Sequence, residues 1–330
     1  MKRVKLPIIL EPRIEARGKN RKSGPARQEF KFKEDEAGPR PRWIRKRLSF
    51  NQTYFETQTL VKEAKLHTIC ESGQCPNIVE CWARKSLTMM ILGNVCTRSC
   101  GFCDVQTGRP GAVDLEEPAR VAKTLASLNL RYVVITSVDR DDLGDGGAEI
   151  WAETITRCKE AAPEMGVEVL VPDFKGSFAD AQVVLDALPT CFAHNIETVE
   201  ALHQMVRPQA KYDRSLQILK QAADDGRVLV KSGIMLGLGE TNEQTLKTMQ
   251  DLADRGVNIL NLGQYLRPSK RHLPVMRWVT PEEFEMFKVE GEKMGFEHVE
   301  SGPLVRSSYK ADQQAEEVAL KIKANKAQGK

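Results

Sequence analysis

Between residues 87 and 262 the chain alternates six short apolar runs with stretches of helical period. The runs cover 87–92, 132–136, 167–171, 191–195, 228–235 and 257–262. The helical stretches cover 113–129, 148–161, 178–188, 199–206, 213–224 and 242–254, and a further one follows at 281–293. A strand that is apolar throughout must be covered on both faces, and intervening helices supply the covers, so the pattern predicts a parallel sheet in an α/β fold. Six repeats suit a partial (β/α)6 TIM-type barrel, and a doubly wound open sheet satisfies the same pattern. Asp213 and Asn242 are candidate helix caps, and Thr280 followed by Pro281 reads as a cap with proline in first place. A shorter helix is expected over 53–66.

The loop after the first run carries Cys96, Cys100 and Cys103, spaced C-x3-C-x2-C, with Phe102 before the last thiol. Three thiolates so close suit an iron–sulfur cluster, and three ligands on four irons leave one iron open to a small molecule. Structural zinc is the alternative, although a closed zinc site takes four ligands. A second group, Cys70, Cys75 and Cys81, is spaced C-x4-C-x5-C in polar sequence bearing Gly and Pro. It too has three thiols, which predicts a second cluster whose fourth ligand lies elsewhere or exchanges. Cys158 and Cys191 stand alone and read as core residues. Eight cysteines without a secretory signal point to metal or catalysis in a cytoplasmic protein, rather than to disulfides. No run reaches the ~18 apolar residues of a membrane span.

The strings around the cysteines carry a resemblance. His67-Thr-Ile-Cys70, Cys75-Pro-Asn, Glu80-Cys81-Trp82, Gly93-Asn-Val-Cys-Thr-Arg-Ser-Cys100, Thr136-Ser-Val-Asp-Arg-Asp-Asp-Leu143, Val171-Pro-Asp-Phe174, His194-Asn-Ile-Glu-Thr198 and Arg306-Ser-Ser-Tyr309 resemble the lipoyl synthase family. That family belongs to the radical S-adenosylmethionine superfamily, and the likeness runs from about residue 43 to 312. It implies two [4Fe–4S] clusters and S-adenosylmethionine as cofactors. It implies insertion of two sulfurs at the sixth and eighth carbons of an octanoyl chain on a lipoyl-domain lysine. Those C–H bonds have no useful acidity, which is why a radical-forming cofactor is needed. By the resemblance Cys96, Cys100 and Cys103 hold the catalytic cluster. Cys70, Cys75, Cys81 and Ser308 hold the auxiliary, sulfur-donating one. Phe102, Thr136, Ser137, Asn195, Glu197 and Arg207 are candidate contacts of S-adenosylmethionine.

The implied partners are octanoylated lipoyl domains of 2-oxoacid dehydrogenase complexes and the glycine cleavage H protein. An electron donor of ferredoxin or flavodoxin type and cluster assembly or carrier proteins complete the set, with no membrane and no nucleic acid. Biotin synthase-like enzymes lack the Cys70 group and the R-S-S-Y end. A non-catalytic cluster carrier has no reason to keep an open iron, and a zinc-stabilised nucleic-acid module would bind with strong salt dependence.

The expected organisation is a basic, largely irregular arm (1–42), an extension with the auxiliary motif (43–86), the partial barrel (87–295), and a C-terminal extension with the R-S-S-Y motif and a terminal helix (296–330). Both extensions should cover the barrel mouth. Trp43 is a candidate anchor for the arm. Asp139, Arg140, Asp141 and Asp142 read as a solvated loop, and the glycines at 144–147 and 237–239 as turns. Residues 1–50 hold 16 Lys and Arg against 6 Asp and Glu, whereas the whole chain carries only +4. Such an arm suits docking on an acidic protein, an encounter effect that salt screens. Truncation just before Trp43 should therefore raise KM for the protein substrate more than it lowers kcat. Unchanged salt dependence of KM after truncation would contradict this.

Overall fold

The computed structural model describes residues 35–45, 50–84, 86–128 and 130–327. Most of the basic arm, residues 1–34, lies outside the described residues. Seven strands form one parallel sheet in sequence order: β1 (Thr88–Ile91), β2 (Tyr132–Ser137), β3 (Gly166–Leu170), β4 (Cys191–Ala193), β5 (Leu229–Leu236), β6 (Ile259–Gln264) and β7 (His298–Gly302), with the short pair Val95–Cys96 and Gln106–Thr107 apart from it between β1 and β2. The two-residue strand His67–Thr68 adds antiparallel to the free edge of β1. Among the described residues β7 does not pair with β1, so the sheet is an open, partial barrel with helices outside it, as the alternation predicts. β7 is the strand the sequence pattern missed, because its run, His298-Val-Glu-Ser-Gly302, has a single apolar residue.

Period-two alternation divides the strands between two environments. Val133, Ile135, Val167 and Val169 belong to the apolar core, together with Trp151, Ile155 and Leu185 from the helices. Tyr132, Glu168 and Lys231 take the opposite face. There Lys231 Nζ lies 3.0 Å from Glu168 Oε1, the Tyr132 hydroxyl donates to Glu168 Oε2, and the lysine and glutamate are both almost fully buried. The terminal helix, Ala311–Ala327, packs against β2 and β7. It buries Ala311, Gln314, Ala315 and Val318, an i, i+3, i+4, i+7 stripe, and so covers the open side of the barrel.

Local details correct several expectations. Thr241, not Asn242, caps its helix, in a reciprocal box with Gln244; Lys211, not Asp213, is the N-cap residue before Tyr212–Asp225. Thr280 and Pro281 behave as expected, and Gly146, Gly147, Gly237 and Gly239 all adopt positive φ, as turns. Cys158 and Cys191 are fully buried. Ile44 rather than Trp43 is the buried anchor: Trp43 stays 45% exposed and Ile44 only 2%. The last residues of the arm lie along the loop after β6. Asp35 pairs with Arg267 at 3.1 Å and accepts the Val275 N–H, and the Trp278 indole donates to Gly38 O.

His194 fixes the end of β4. Its Nδ1 lies 2.8 Å from Val171 O and its Nε2 2.9 Å from Ser215 Oγ, so the neutral ring donates at one nitrogen and accepts at the other. Burial, with Arg207 nearby, pushes its pKa down to about 4. A ring that must stay neutral in the fold but titrates near 6.5 when unfolded stabilises fully above pH ~6.5, and that stability is lost as pH falls toward its folded pKa. Between pH 6.5 and 5, urea unfolding should show a loss of about 2 kcal/mol that is absent in His194→Gln. Parallel pH curves for the two proteins would contradict the assignment.

Candidate active site

The Cys96 loop is tied to the C-terminal ends of four strands. Its centre is Arg98, whose side chain is about 2% exposed. Arg98 donates to both oxygens of Asp141 (2.7 and 2.8 Å) and to Asp173 (2.6 Å), and lies 3.3 Å from Asp139. Asp139 and Asp141 follow β2, and Asp173 follows β3. Thr97 donates its backbone N–H and its hydroxyl to Asp139 O. The Gly101 N–H donates to Val206 O beyond β4, and the Leu273 N–H beyond β6 donates back to Gly101 O. A Cβ at Gly101 would sit 2.9 Å from the Leu273 side chain, so glycine lets the loop lie against Leu273 without displacing it. The acidic run after β2 is therefore not a solvated loop. Asp139 and Asp141 are structural partners of Arg98, while the nearly buried Arg140 forks onto Asp142. Sequence reasoning missed this role because charge alone does not distinguish a solvated acid from a buried one. Burial alone would raise the Asp173 carboxyl, but Arg98 and Arg214 outweigh it and hold it down at about 2.

Cys96 Sγ accepts the Arg98 and Asp139 N–H groups at 3.4 and 3.3 Å. Burial pushes the Cys96 and Cys103 thiols up to about 12 and the Cys100 thiol to about 11. Such thiols keep their protons at neutral pH until a metal takes the proton's place. Phe102 packs with Val206, Leu238, Tyr265, Leu273 and Val275 beneath the loop.

The second group lines a small pocket of its own. Cys70, Cys75, Cys81, Thr88, Arg306, Ser308 and Tyr309 line it. Asn77 Nδ2 donates to Leu304 O at 2.7 Å, stitching the N-terminal segment to the C-terminal one. The carrier of Ser308 is anchored from inside the barrel. Asn195 Nδ2 donates to Ser307 Oγ (2.6 Å), and Asn261 Nδ2 donates to Ser307 O (2.9 Å). Gly263 of β6 permits this, since any Cβ there would collide with Val305 O. Gln74, beside Cys75, donates to Asp104, beside Cys103, so the two cysteine loops touch. Among the described residues no three His, Cys, Asp or Glu side chains converge as ligands of a single ion would. A cluster spreads its ligands over separate corners, and three thiols plus one hydroxyl around a cavity fit that requirement.

Of the remaining candidates Thr136 and Ser137 end β2, Asn195 and Glu197 lie just beyond β4, and Arg207 follows the helix Glu200–Val206. Thr136 Oγ1 donates to Leu170 O at 3.0 Å. The Ser137 hydroxyl, Arg207 Nε and Asn261 Oδ1 are buried without a partner among the described residues. Unmet groups of this kind fit a polar ligand such as S-adenosylmethionine. Glu197 has φ 68°, a left-handed conformation uncommon outside glycine. Burial raises its carboxyl pKa, and Arg207 opposes the rise. Asn195 Nδ2 donates to Glu197 Oε1, and Arg207 Nη1 donates to Asn195 O.

Residues 90–252 match the Radical SAM superfamily. A lipoyl synthase from Rubrobacter xylanophilus is 54% identical over 279 residues, covering 84% of this chain and 87% of that protein. One from Flavobacterium psychrophilum is 52% identical and covers 82% and 94%. Among solved structures, the FeFe-hydrogenase maturase HydG from Carboxydothermus hydrogenoformans shares the fold at 12% identity, with a TM-score of 0.52 and coverage of 80% and 68%.

The anchoring of Ser307 and Ser308 yields a prediction. Gly263→Ala should push the 305–308 segment out of the barrel and lower the iron bound at the Cys70 cavity. Iron analysis in a chain lacking the Cys96, Cys100 and Cys103 thiols checks this, and undiminished iron would contradict it.

Proposed function

The chain belongs to the lipoyl synthase family, and from that premise we propose which residues carry the reaction and which partners supply it. The enzyme is a radical S-adenosylmethionine sulfurtransferase. It inserts two sulfur atoms at the sixth and eighth carbons of an octanoyl chain carried by a lipoyl-domain lysine. When bound, S-adenosylmethionine and two [4Fe–4S] clusters supply a carbon radical strong enough to take hydrogen from unactivated carbon, together with the sulfur that replaces it.

In our reading Cys96, Cys100 and Cys103 ligate the radical-forming cluster, and Arg98 fixes their loop. Ser137, Asn195, Glu197 and Arg207 receive the cofactor's polar ends, with Thr136 shaping the same edge and Phe102 packing beneath the loop. Cys70, Cys75, Cys81 and Ser308 hold the auxiliary cluster. The observation that carries this is the cavity itself, where Ser308 meets three thiols more than two hundred residues away in sequence. The contact between the cysteine loops supports placing both clusters within reach of one substrate chain, as near-contact chemistry requires. The Arg306–Tyr309 segment and the Cys70 segment then close the site against water.

The protein substrates we propose are octanoylated lipoyl domains of 2-oxoacid dehydrogenase complexes and the glycine cleavage H protein. Radical formation consumes an electron, which calls for a ferredoxin- or flavodoxin-type donor. Sulfur taken from the auxiliary cluster must be replaced, which calls for cluster assembly or carrier proteins. We place the enzyme in the cytoplasm, whose reducing conditions keep cluster-ligating thiols from pairing as disulfides. No helix among the described residues is long and apolar enough to cross a membrane.

Two triple variants separate the roles. Cys96, Cys100 and Cys103 replaced by Ala should lose all cleavage of S-adenosylmethionine. Cys70, Cys75 and Cys81 replaced by Ala should keep cleavage and form no lipoyl product from an octanoylated lipoyl domain. Lipoyl product from the second variant, read by mass spectrometry, would contradict the division.

A further inference from the structure

Thr88 opens β1, in a run where Leu87, Met89, Met90 and Ile91 are apolar and buried. Its hydroxyl is the one polar side chain in that stretch, and it too is buried, at 2% exposure. Thr88 Oγ1 donates to Ser308 Oγ at 2.7 Å, across 220 residues of sequence. Cys70 is its other close partner, for the Thr88 main chain and hydroxyl both favour the Cys70 thiolate against the effect of burial. Both partners line the Cys70 cavity, as Thr88 itself does. A β-branched side chain in a strand has little rotamer freedom, so this hydroxyl is a fixed reference point. Cys70 sits in the short helix Ile69–Ser72, directly after the strand His67–Thr68 that pairs with β1, and the 305–308 segment is joined to the barrel through the Asn195 and Asn261 bonds.

We propose that Thr88 is a positioning residue of the auxiliary site, its hydroxyl seating the Ser308 oxygen beside Cys70. The proposal rests on the reading of Cys70 and Ser308 as ligands of one cluster. Thr88 binds no iron in this scheme. It sets two ligands, one from each extension, from a single point on the first barrel strand. A Ser308 oxygen that accepts this hydrogen bond is held against the cavity wall before iron arrives and after it leaves. Backbone pairing of β1 with β2 is unaffected by removing the hydroxyl, since Thr88 pairs with Val134 through main-chain atoms.

The test counts only the auxiliary site, using the full chain with Cys96, Cys100 and Cys103 replaced by Ala and reconstituted anaerobically with iron-57 and sulfide. Release of iron to a chelator and the Mössbauer spectrum are recorded for this parent and for Thr88→Val, Thr88→Ser and Ser308→Ala. Thr88→Val keeps the shape and removes the hydroxyl. It should release one iron per chain about three- to ten-fold faster than the parent, the worth of one net hydrogen bond. It should also broaden the Mössbauer doublet of that iron. Thr88→Ser should stay within about two-fold of the parent. Thr88→Val combined with Ser308→Ala should be no faster than Ser308→Ala alone. If Thr88→Val does not fold, Thr88→Ala carries the same expectation. Parent-like iron release in the Val or Ala variant, while Ser308→Ala releases iron quickly, overturns the role of Thr88. Parent-like release in Ser308→Ala overturns the ligand reading on which it rests.

Discussion

A buried guanidinium is the centre of what holds the Cys96 loop to the barrel. Arg98 gathers Asp139, Asp141 and Asp173, and through them the ends of β2 and β3. Charge-assisted hydrogen bonds with bidentate geometry are strong and directional, and removing one partner from such a buried set leaves uncompensated charge at a cost of about 3–5 kcal/mol. The arrangement therefore gives a glycine-bearing loop a fixed position without surrounding it with secondary structure. Gly101 then brings the loop against the segments beyond β4 and β6, so the three thiols are displayed from a scaffold rather than from a free turn.

The second cysteine group is solved differently. Its four proposed ligands come from the two extensions, and the barrel interior joins them. Gly263 on β6 leaves room for the Val305 backbone, and Gly233 on β5 leaves room for the Asn195 side chain. Asn195 and Asn261 meet that backbone with hydrogen bonds, and Asn195 also meets Glu197. One asparagine thus touches both the expected cofactor edge and the segment bearing Ser308. The terminal helix, packed against β2 and β7, follows directly on the same segment.

Much of this was legible in the sequence because the signals were local. Strand runs alternating with helical period gave the parallel sheet, and cysteine spacing gave two clusters. The family strings singled out Ser308, which spacing alone could not do. What escaped was non-local. β7 was invisible because a strand paired on only one side, carrying His298, Glu300 and Ser301, lacks an apolar signature. The Asp139–Asp142 run looked like solvent-exposed acid because its partner, Arg98, lies forty residues earlier. Thr88 attracted no notice for a related reason: a lone threonine in an apolar strand means nothing until its neighbours at 70 and 308 are known. The observed caps, Thr241 and Lys211, stand one and two residues before the expected Asn242 and Asp213, because residue type near a helix end does not fix where the first turn closes.

The central claim is that residues from both ends of the chain build one metal site next to another held by the Cys96 loop. Anomalous diffraction at the iron edge from anaerobically grown crystals of the reconstituted chain tests it most directly. The account predicts two compact iron peaks, one bounded by Cys96, Cys100 and Cys103, the other by Cys70, Cys75, Cys81 and the Ser308 oxygen. A single iron site, or a second one with Ser308 turned away from it in the absence of substrate, would contradict it.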